Sequence, residues 1–298
     1  MKRKRKRSAR PTKGQWGFML LFGLVPLILF ILISIVPAIQ SFQNSFYDWS
    51  GYGEKVWVGF DNYIAIMKDS MFHQAIINDL AILIFKILII LVLSVTFAIS
   101  VTRLSYKKAE TNFLRFVYYI PNIISGVVIA KVWKYFFDLE LFSMITGLET
   151  PDQGWITTYP SQIITFVASW CGIGSFMIIL IAAINNIPKE VYEAADLDGA
   201  GQFRQLFSIT MPYLVPQLKY MIVSIIISIV PSNMNFVQLF MGDGLGGSGY
   251  TVMGLYEYAY GFKYFELGYA NAVAVILMIV VFVVSYVLNR AISKKEDK

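Results

Sequence analysis

Between an apolar run ending near Asn185 and another beginning near Tyr213 lies a polar stretch, residues 186–212, suited to gripping another surface. Lys189 to Asp198 reads as a short helix. Asn186 can cap it, Pro188 suits its opening, and Glu193, Ala194 and Ala195 are good helix formers. Gly199 and Gly201 then stop it. Val191, Ala194 and Ala195 share a face where alanines let a partner approach the backbone, while Glu190, Glu193, Asp196 and Asp198 supply negative charge at the edges. A second helix, Gln202 to Met211, places Phe203, Leu206, Phe207 and Thr210 at i, i+3, i+4 and i+7 and is expected to end at Pro212. These residues could equally form an ordinary amphipathic loop.

A second group could hold a solute. Trp170, Gly172 and Ser175 lie in one apolar run, and Ser232 and Asn235 share a helix face in the next. Hydroxyl, amide and aromatic groups suit a neutral polyol or sugar, bound by hydrogen bonds and ring faces. Polar residues in apolar runs also bond neighbouring helices, so a packing role stays open for each. Lys86 sits deep in another run, where a central lysine costs about 2.5–3.5 kcal/mol and the surrounding aliphatic residues offset it. It marks a solute path, a pair between helices or a side chain reaching for the interface. Lys131 and Lys134, near the end of a run, are expected to reach for the interface.

Catalytic chemistry finds no support. No GxxxxGK[ST] phosphate loop occurs, and the Gly242 to Gly249 run lacks the lysine and reads as a connector. His73 is the sole histidine and Cys171 the sole cysteine, too few for a histidine triad, a disulfide or a metal cluster. Asp79 and Glu266 are placed at the ends of runs, leaving no deep carboxylate to relay ions, which weighs against an ion-coupled secondary transporter. Neither a metal nor a cofactor is expected.

The elements that position these groups are membrane spans. Of 298 residues, 57% are hydrophobic and only 15% charged, which excludes an ordinary soluble globule. About 20 apolar residues cross ~30 Å of hydrocarbon as a helix, and backbone groups in lipid must be satisfied within the segment. Six segments qualify: Trp16 to Gln40, Ala75 to Thr102, Leu114 to Phe137, Ser161 to Asn185, Tyr213 to Phe240 and Leu267 to Asn289. The first is too long for a signal-peptide core and lacks a small-residue cleavage site, so it is expected to be retained. Most of the 25 lysines and arginines fall at the two termini, at 103–115 and in the polar stretch, which predicts that these lie in the cytoplasm. The organisation is thus a basic segment 1–15, a membrane domain 16–290 and a tail 291–298. The net charge of +6 faces anionic lipid rather than nucleic acid, since no basic face carries interleaved aromatics. Pro26, Pro37, Pro121, Gly172, Gly174 and Pro231 interrupt the spans, either around something polar or as simple kinks.

Glu193-Ala194-Ala195, three residues, Gly199, nine residues, Ile209, one residue, Met211-Pro212 resembles the EAA motif of permease subunits in binding-protein-dependent ABC importers. Methionine stands where the family has leucine, a volume-conserving change. The resemblance is nearest the MalF-like sugar-permease branch. It runs through Val58 to Tyr63, Tyr118 to Pro121, Asn235 to Val237 and Tyr256 to Ala274, while many relatives carry Gly-Gly-Pro where this chain has Gly242-Asp243-Gly244-Leu245-Gly246-Gly247.

The resemblance implies an all-α, polytopic bundle of the type I ABC importer permease kind in a bacterial cell membrane. It implies a second permease subunit, usually a different chain, two cytoplasmic ATPase subunits, an extracytoplasmic solute-binding protein and a sugar or oligosaccharide cargo. Glu193, Ala194, Ala195, Asp198, Gly199, Ile209 and Pro212 would couple to the ATPases. Trp170, Gly172, Ser175, Ser232 and Asn235 would line the path. Importers of a non-sugar solute, ion-coupled carriers and non-transporting scaffolds are the alternatives.

Overall fold

The computed structural model describes residues 13–103, 108–242 and 250–293. The basic start, the charged tail, most of the glycine run and the side chain of Ser232 lie outside the described residues. The described residues are mostly helical, with a two-residue antiparallel pairing of β1 (Tyr47–Asp48) with β2 (Val56–Trp57).

The first span is α1 (Lys13–Phe30), a π-helical turn (Ile31–Ile35) and α2 (Val36–Asn44). The wider turn ends two residues before Pro37, where the ring would otherwise press on the carbonyl four residues back. None of its apolar window is buried within this chain. After α3 (Asp61–Lys68) comes α4 (Ser70–Arg103), then α5 (Lys108–Ile123) and α6 (Gly126–Asp138). Short α7 (Leu141–Thr146) and α8 (Trp155–Thr158) lead into α9 (Pro160–Asn185). The polar stretch holds α10 (Lys189–Leu197) and α11 (Gln202–Gln205), followed by a second π turn (Leu206–Thr210), α12 (Met211–Met241), α13 (Met253–Phe262) and α14 (Leu267–Ser293).

Among the described residues five helices are long and apolar enough to cross a membrane, and the sixth expected span takes another form. Leu114 to Phe137 is not one rod: α5 and α6 meet at 93°. Pro121 withholds one helical N–H, and Ser125 adopts an extended backbone (ψ 133°) that restarts the chain in a new direction. Pro212 also acts differently from expectation. The chain stays helical through it, because the π turn before it absorbs the ring as at Pro37.

The main core lies where α4, α9 and α12 cross, around Ile90, Ile164, Met177, Leu180, Met221 and Ile225. Gly174 lets α5 lie against α9, since a Cβ there would stand 2.6 Å from the Tyr118 carbonyl oxygen and 2.9 Å from Tyr119 Cα. The neighbouring carbonyls bond across the crossing: Asn122 Nδ2 donates to Cys171 (3.2 Å) and Ser94 Oγ to Ile173 (3.2 Å). The glycines of this span therefore mark close helix packing. A smaller core of Ile66, Phe72, Met253, Tyr256 and Val273 joins α3, the start of α4, α13 and α14. The β pairing rests on it, with Gly268 N–H donating to the Trp49 carbonyl at 2.9 Å.

Candidate coupling loop and solute-path residues

α9 ends at Asn185 and Lys189 begins α10 after a short turn. The far end of α10 is a Schellman cap. Ala200 N–H donates to the Ala195 carbonyl (2.9 Å) and Gly199 N–H to that of Asp196 (3.0 Å), with Gly199 at φ +71°. That left-handed conformation is what a glycine supplies without strain. Two side-chain pairs then fasten α10 to the following helix: Tyr192 hydroxyl with Thr210 hydroxyl at 2.9 Å, and the Gln205 amide donating to the Asp196 carboxylate. Gln205 also donates to the Ala200 carbonyl at 3.0 Å. Sequence reasoning missed Tyr192 and Gln205 because only the folded turn brings them opposite their partners.

The loop is held from within and bare outside. Glu193, Ala194, Asp198, Gly199 and Pro212 are exposed, and Ala195 and Ile209 half-buried. The apolar stripe does not turn wholly inward. Thr210 is buried, whereas Leu197 is 90% and Phe203 80% exposed, and Phe207 is exposed with them. Three large apolar side chains on one short loop make a surface that water alone does not favour.

The solute-path candidates are dispersed. Trp170 is exposed and meets Trp133 of α6 edge to face, ring centroids 5.6 Å apart. Gly172 faces Ile90 of α4, whose Cδ1 would lie 3.0 Å from an added Cβ. Ser175 Oγ donates to the Gly172 carbonyl one turn back (2.9 Å). Asn235 is exposed on α12 and has no side-chain hydrogen-bond partner among the described residues. Trp170, Ser175 and Asn235 make no bond or ring contact with one another.

One acidic residue differs from expectation, and two lysines take up positions that the sequence leaves open. Asp79 is not at a span end: α4 begins at Ser70, which sinks Asp79 into the bundle at 2% exposure. Its carboxylate accepts Asn233 Nδ2 (2.7 Å) and the Met253 backbone N–H (2.8 Å). Lys86 is buried on the same helix, seven residues on, and the two opposite charges attract. Lys134 donates to the Phe240 carbonyl near the end of α12 at 3.1 Å.

The structure is thus a bundle of apolar helices bearing one exposed, capped helix between two spans. Residues 94–298 match the family described as binding-protein-dependent transport system inner membrane component. The chain belongs to that family. As a permease of this family it is a multi-pass membrane transport subunit rather than an enzyme, and it works with a binding protein and ATPase partners.

Relatives match the permease over nearly its whole length. The multiple sugar-binding transport system permease protein MsmF of Streptococcus mutans is 31% identical, covering 94% of this chain and 96% of its own. The probable starch degradation products transport system permease protein AmyD of Thermoanaerobacterium thermosulfurigenes is 29% identical, covering 95% and 96%. In three dimensions the permease superposes on a chain of a bacterial alginate ABC transporter in complex with alginate pentasaccharide-bound periplasmic protein. That match has a TM-score of 0.78 and 22% identity over 92% of this chain and 94% of the other, a likeness of fold.

Proposed function

We propose that this chain is one of two permease subunits of an ATP-driven importer for a sugar or oligosaccharide, and that residues 186–212 receive the push of the ATPases. The observation that carries the reading is the helix Lys189–Leu197, locked inward through Tyr192 and Asp196 and offering Glu193, Ala194 and Leu197 outward. A lever needs both properties, a stiff attachment to the spans and a free surface for the engine. The two helices flanking it, α9 and α12, pack on each other, so tilting α10 moves the spans that carry Trp170, Ser175, Ser232 and Asn235.

The saccharide assignment draws on the names of MsmF and AmyD, and on the chemistry of the exposed Asn235 and Trp170. A bare amide on a membrane helix calls for a polar surrounding, which a path shared with a second permease subunit supplies. With the loop in the cytoplasm, both termini lie there as well, since an even number of crossings separates them.

Site-directed cross-linking tests the lever. With Ala194→Cys in a Cys171→Ser background, a short bifunctional reagent should join this chain to an ATPase subunit of the assembled importer, and Tyr52→Cys in the β hairpin should not. Cross-links from Tyr52 but none from Ala194 would place the engine on the wrong side and overturn the assignment.

A further inference from the structure

Across the membrane from the coupling loop, α12, α13 and α14 enclose a cavity of about 480 Å3. The cavity exists because the facing residues are small: Gly261 of α13 meets Ala270 of α14 with room for little more than a methyl group (3.4 Å). Three polar side chains line it, Glu257 and Tyr258 from α13 and Asn271 from α14. Asn271 gives one of its two Nδ2 hydrogens to the Leu267 carbonyl at 2.7 Å, and its carbonyl oxygen is an acceptor. Glu257 has neither a hydrogen bond nor an ion pair among the described residues, and it is the only charged group lining the cavity. Tyr258 and Phe262 set their rings side by side at its mouth, centroids 5.1 Å apart, and Phe262 is exposed.

A half-buried carboxyl without a cation is costly, and burial alone pushes Glu257 up to about 7. Its neighbours do not lower that cost. Among the described residues that line the cavity none is a lysine or arginine, and Tyr258 is the only other titratable side chain. The Glu257 carboxylate and the Asn271 carbonyl oxygen are acceptors and the Tyr258 hydroxyl can donate or accept, so a ligand rich in hydroxyl donors fits. Vicinal hydroxyls bring two to a carboxylate at once, and the C–H face of a sugar ring packs on an aromatic ring. A carboxyl already near neutrality is a weak seat for a cation, and an ionised one repels an anion.

We propose that this cavity is an outer solute subsite in which Glu257 and Asn271 accept hydrogen bonds from hydroxyls of an uncharged saccharide unit, and in which Glu257 rejects saccharides bearing carboxylates. The proposal rests on the reading of the chain as a saccharide importer's permease and adds to it a site and a charge preference.

The test uses the complete importer in proteoliposomes, with Phe262→Cys in the Cys171→Ser background. Uptake of maltotriose, arabinotriose and diacetylchitobiose is measured first, then the rate at which a maleimide labels position 262, with trigalacturonate as the charged probe. An uncharged probe that is imported should slow labelling about tenfold at ten times its dissociation constant. Trigalacturonate should not slow it at pH 8. Protection by the uncharged probe should strengthen severalfold from pH 6 to 8, become independent of pH in Glu257→Gln and disappear in Glu257→Ala and Asn271→Ala. Import without protection, protection that survives Glu257→Ala, equal protection by trigalacturonate, or no labelling of position 262 would each overturn the subsite while leaving the importer reading intact. Import of no uncharged probe would remove both.

Discussion

Asp79 and Asn233 meet 2.7 Å apart in the middle of the bundle, one from α4 and the other from α12, and the second oxygen of Asp79 takes the first N–H of α13 at Met253. Next to it Asn78 Nδ2 donates to the Thr251 carbonyl at 2.8 Å. One helix thereby holds α12 at Asn233 and the start of α13 at Thr251 and Met253. Asp79→Ala leaves two buried donors without acceptors, at about 1–3 kcal/mol each. Thermal unfolding of the detergent-solubilised complex should occur at a clearly lower temperature, with Asp79→Asn falling between. A variant as stable as wild type would show that the clamp contributes nothing.

Gly174 and Gly172 are two residues apart on α9 and should respond differently to alanine. At 174 the new Cβ presses on the backbone of Tyr118 and Tyr119, which cannot retreat without parting α5 from α9. At 172 it meets only the tip of Ile90, a side chain that can rotate. Gly174→Ala should lower stability and expression by the order of overpacking, about 1–3 kcal/mol or more, and Gly172→Ala by much less. Equal effects would argue against this crossing.

At Gly199 nothing lies within 4 Å of a built Cβ, so a larger residue meets only backbone strain of roughly 1–2 kcal/mol. Gly199→Leu should therefore insert and assemble normally in the membrane, while ATP-driven uptake falls to background. Uptake at the wild-type rate would separate this glycine from coupling.

Glu257 sets a pH dependence of stability. Its folded pKa, about 7, lies above the 4.5 of a solvated glutamate. The folded state holds the proton more tightly, so the stability it provides is full below about 4.5 and lost as pH rises through about 7. Apparent melting temperatures of Glu257→Gln and wild type should agree at the acid end, with the variant growing more stable by pH 8. A constant difference across that range would show that the carboxyl is well solvated.

On the far side of α13 the balance is reversed. Asp69 is also penalised by burial, yet the Tyr256 hydroxyl donating at 2.6 Å and the backbone N–H groups of Met71 and Phe72 hold its carboxyl below the usual range. Tyr256→Phe should raise the Asp69 pKa, measurable by carboxyl-selective infrared difference spectra after Asp69→Asn subtraction. No movement would mean that the amides and the Tyr260 hydroxyl hold it down without Tyr256.

Much of this protein is written in one dimension. Runs of twenty or more apolar residues admit helices and nothing else in lipid, so α4, α9, α12 and α14 were readable from Ala75, Ser161, Tyr213 and Leu267 onward. The short helix ending before Gly199 was equally plain, because capping and a left-handed glycine depend on neighbours in sequence. What sequence could not supply was distance between segments. Hydropathy measures a run and not its straightness, so the 93° bend between α5 and α6 stayed hidden within Leu114 to Phe137.

Asp79, Lys134 and Glu257 were obscure for the same reason. A charge in a sequence is weighed only against its immediate neighbours, whereas its partners come from helices more than a hundred residues away, as Phe240 does for Lys134 and Asn233 for Asp79. Local chemistry determined that this chain crosses the membrane repeatedly and carries an outward-facing helix between two of its spans. Only the packing of those spans decided which polar groups are satisfied and which, like Glu257, are left facing a cavity, because hydrogen bonding and burial depend on three-dimensional neighbours.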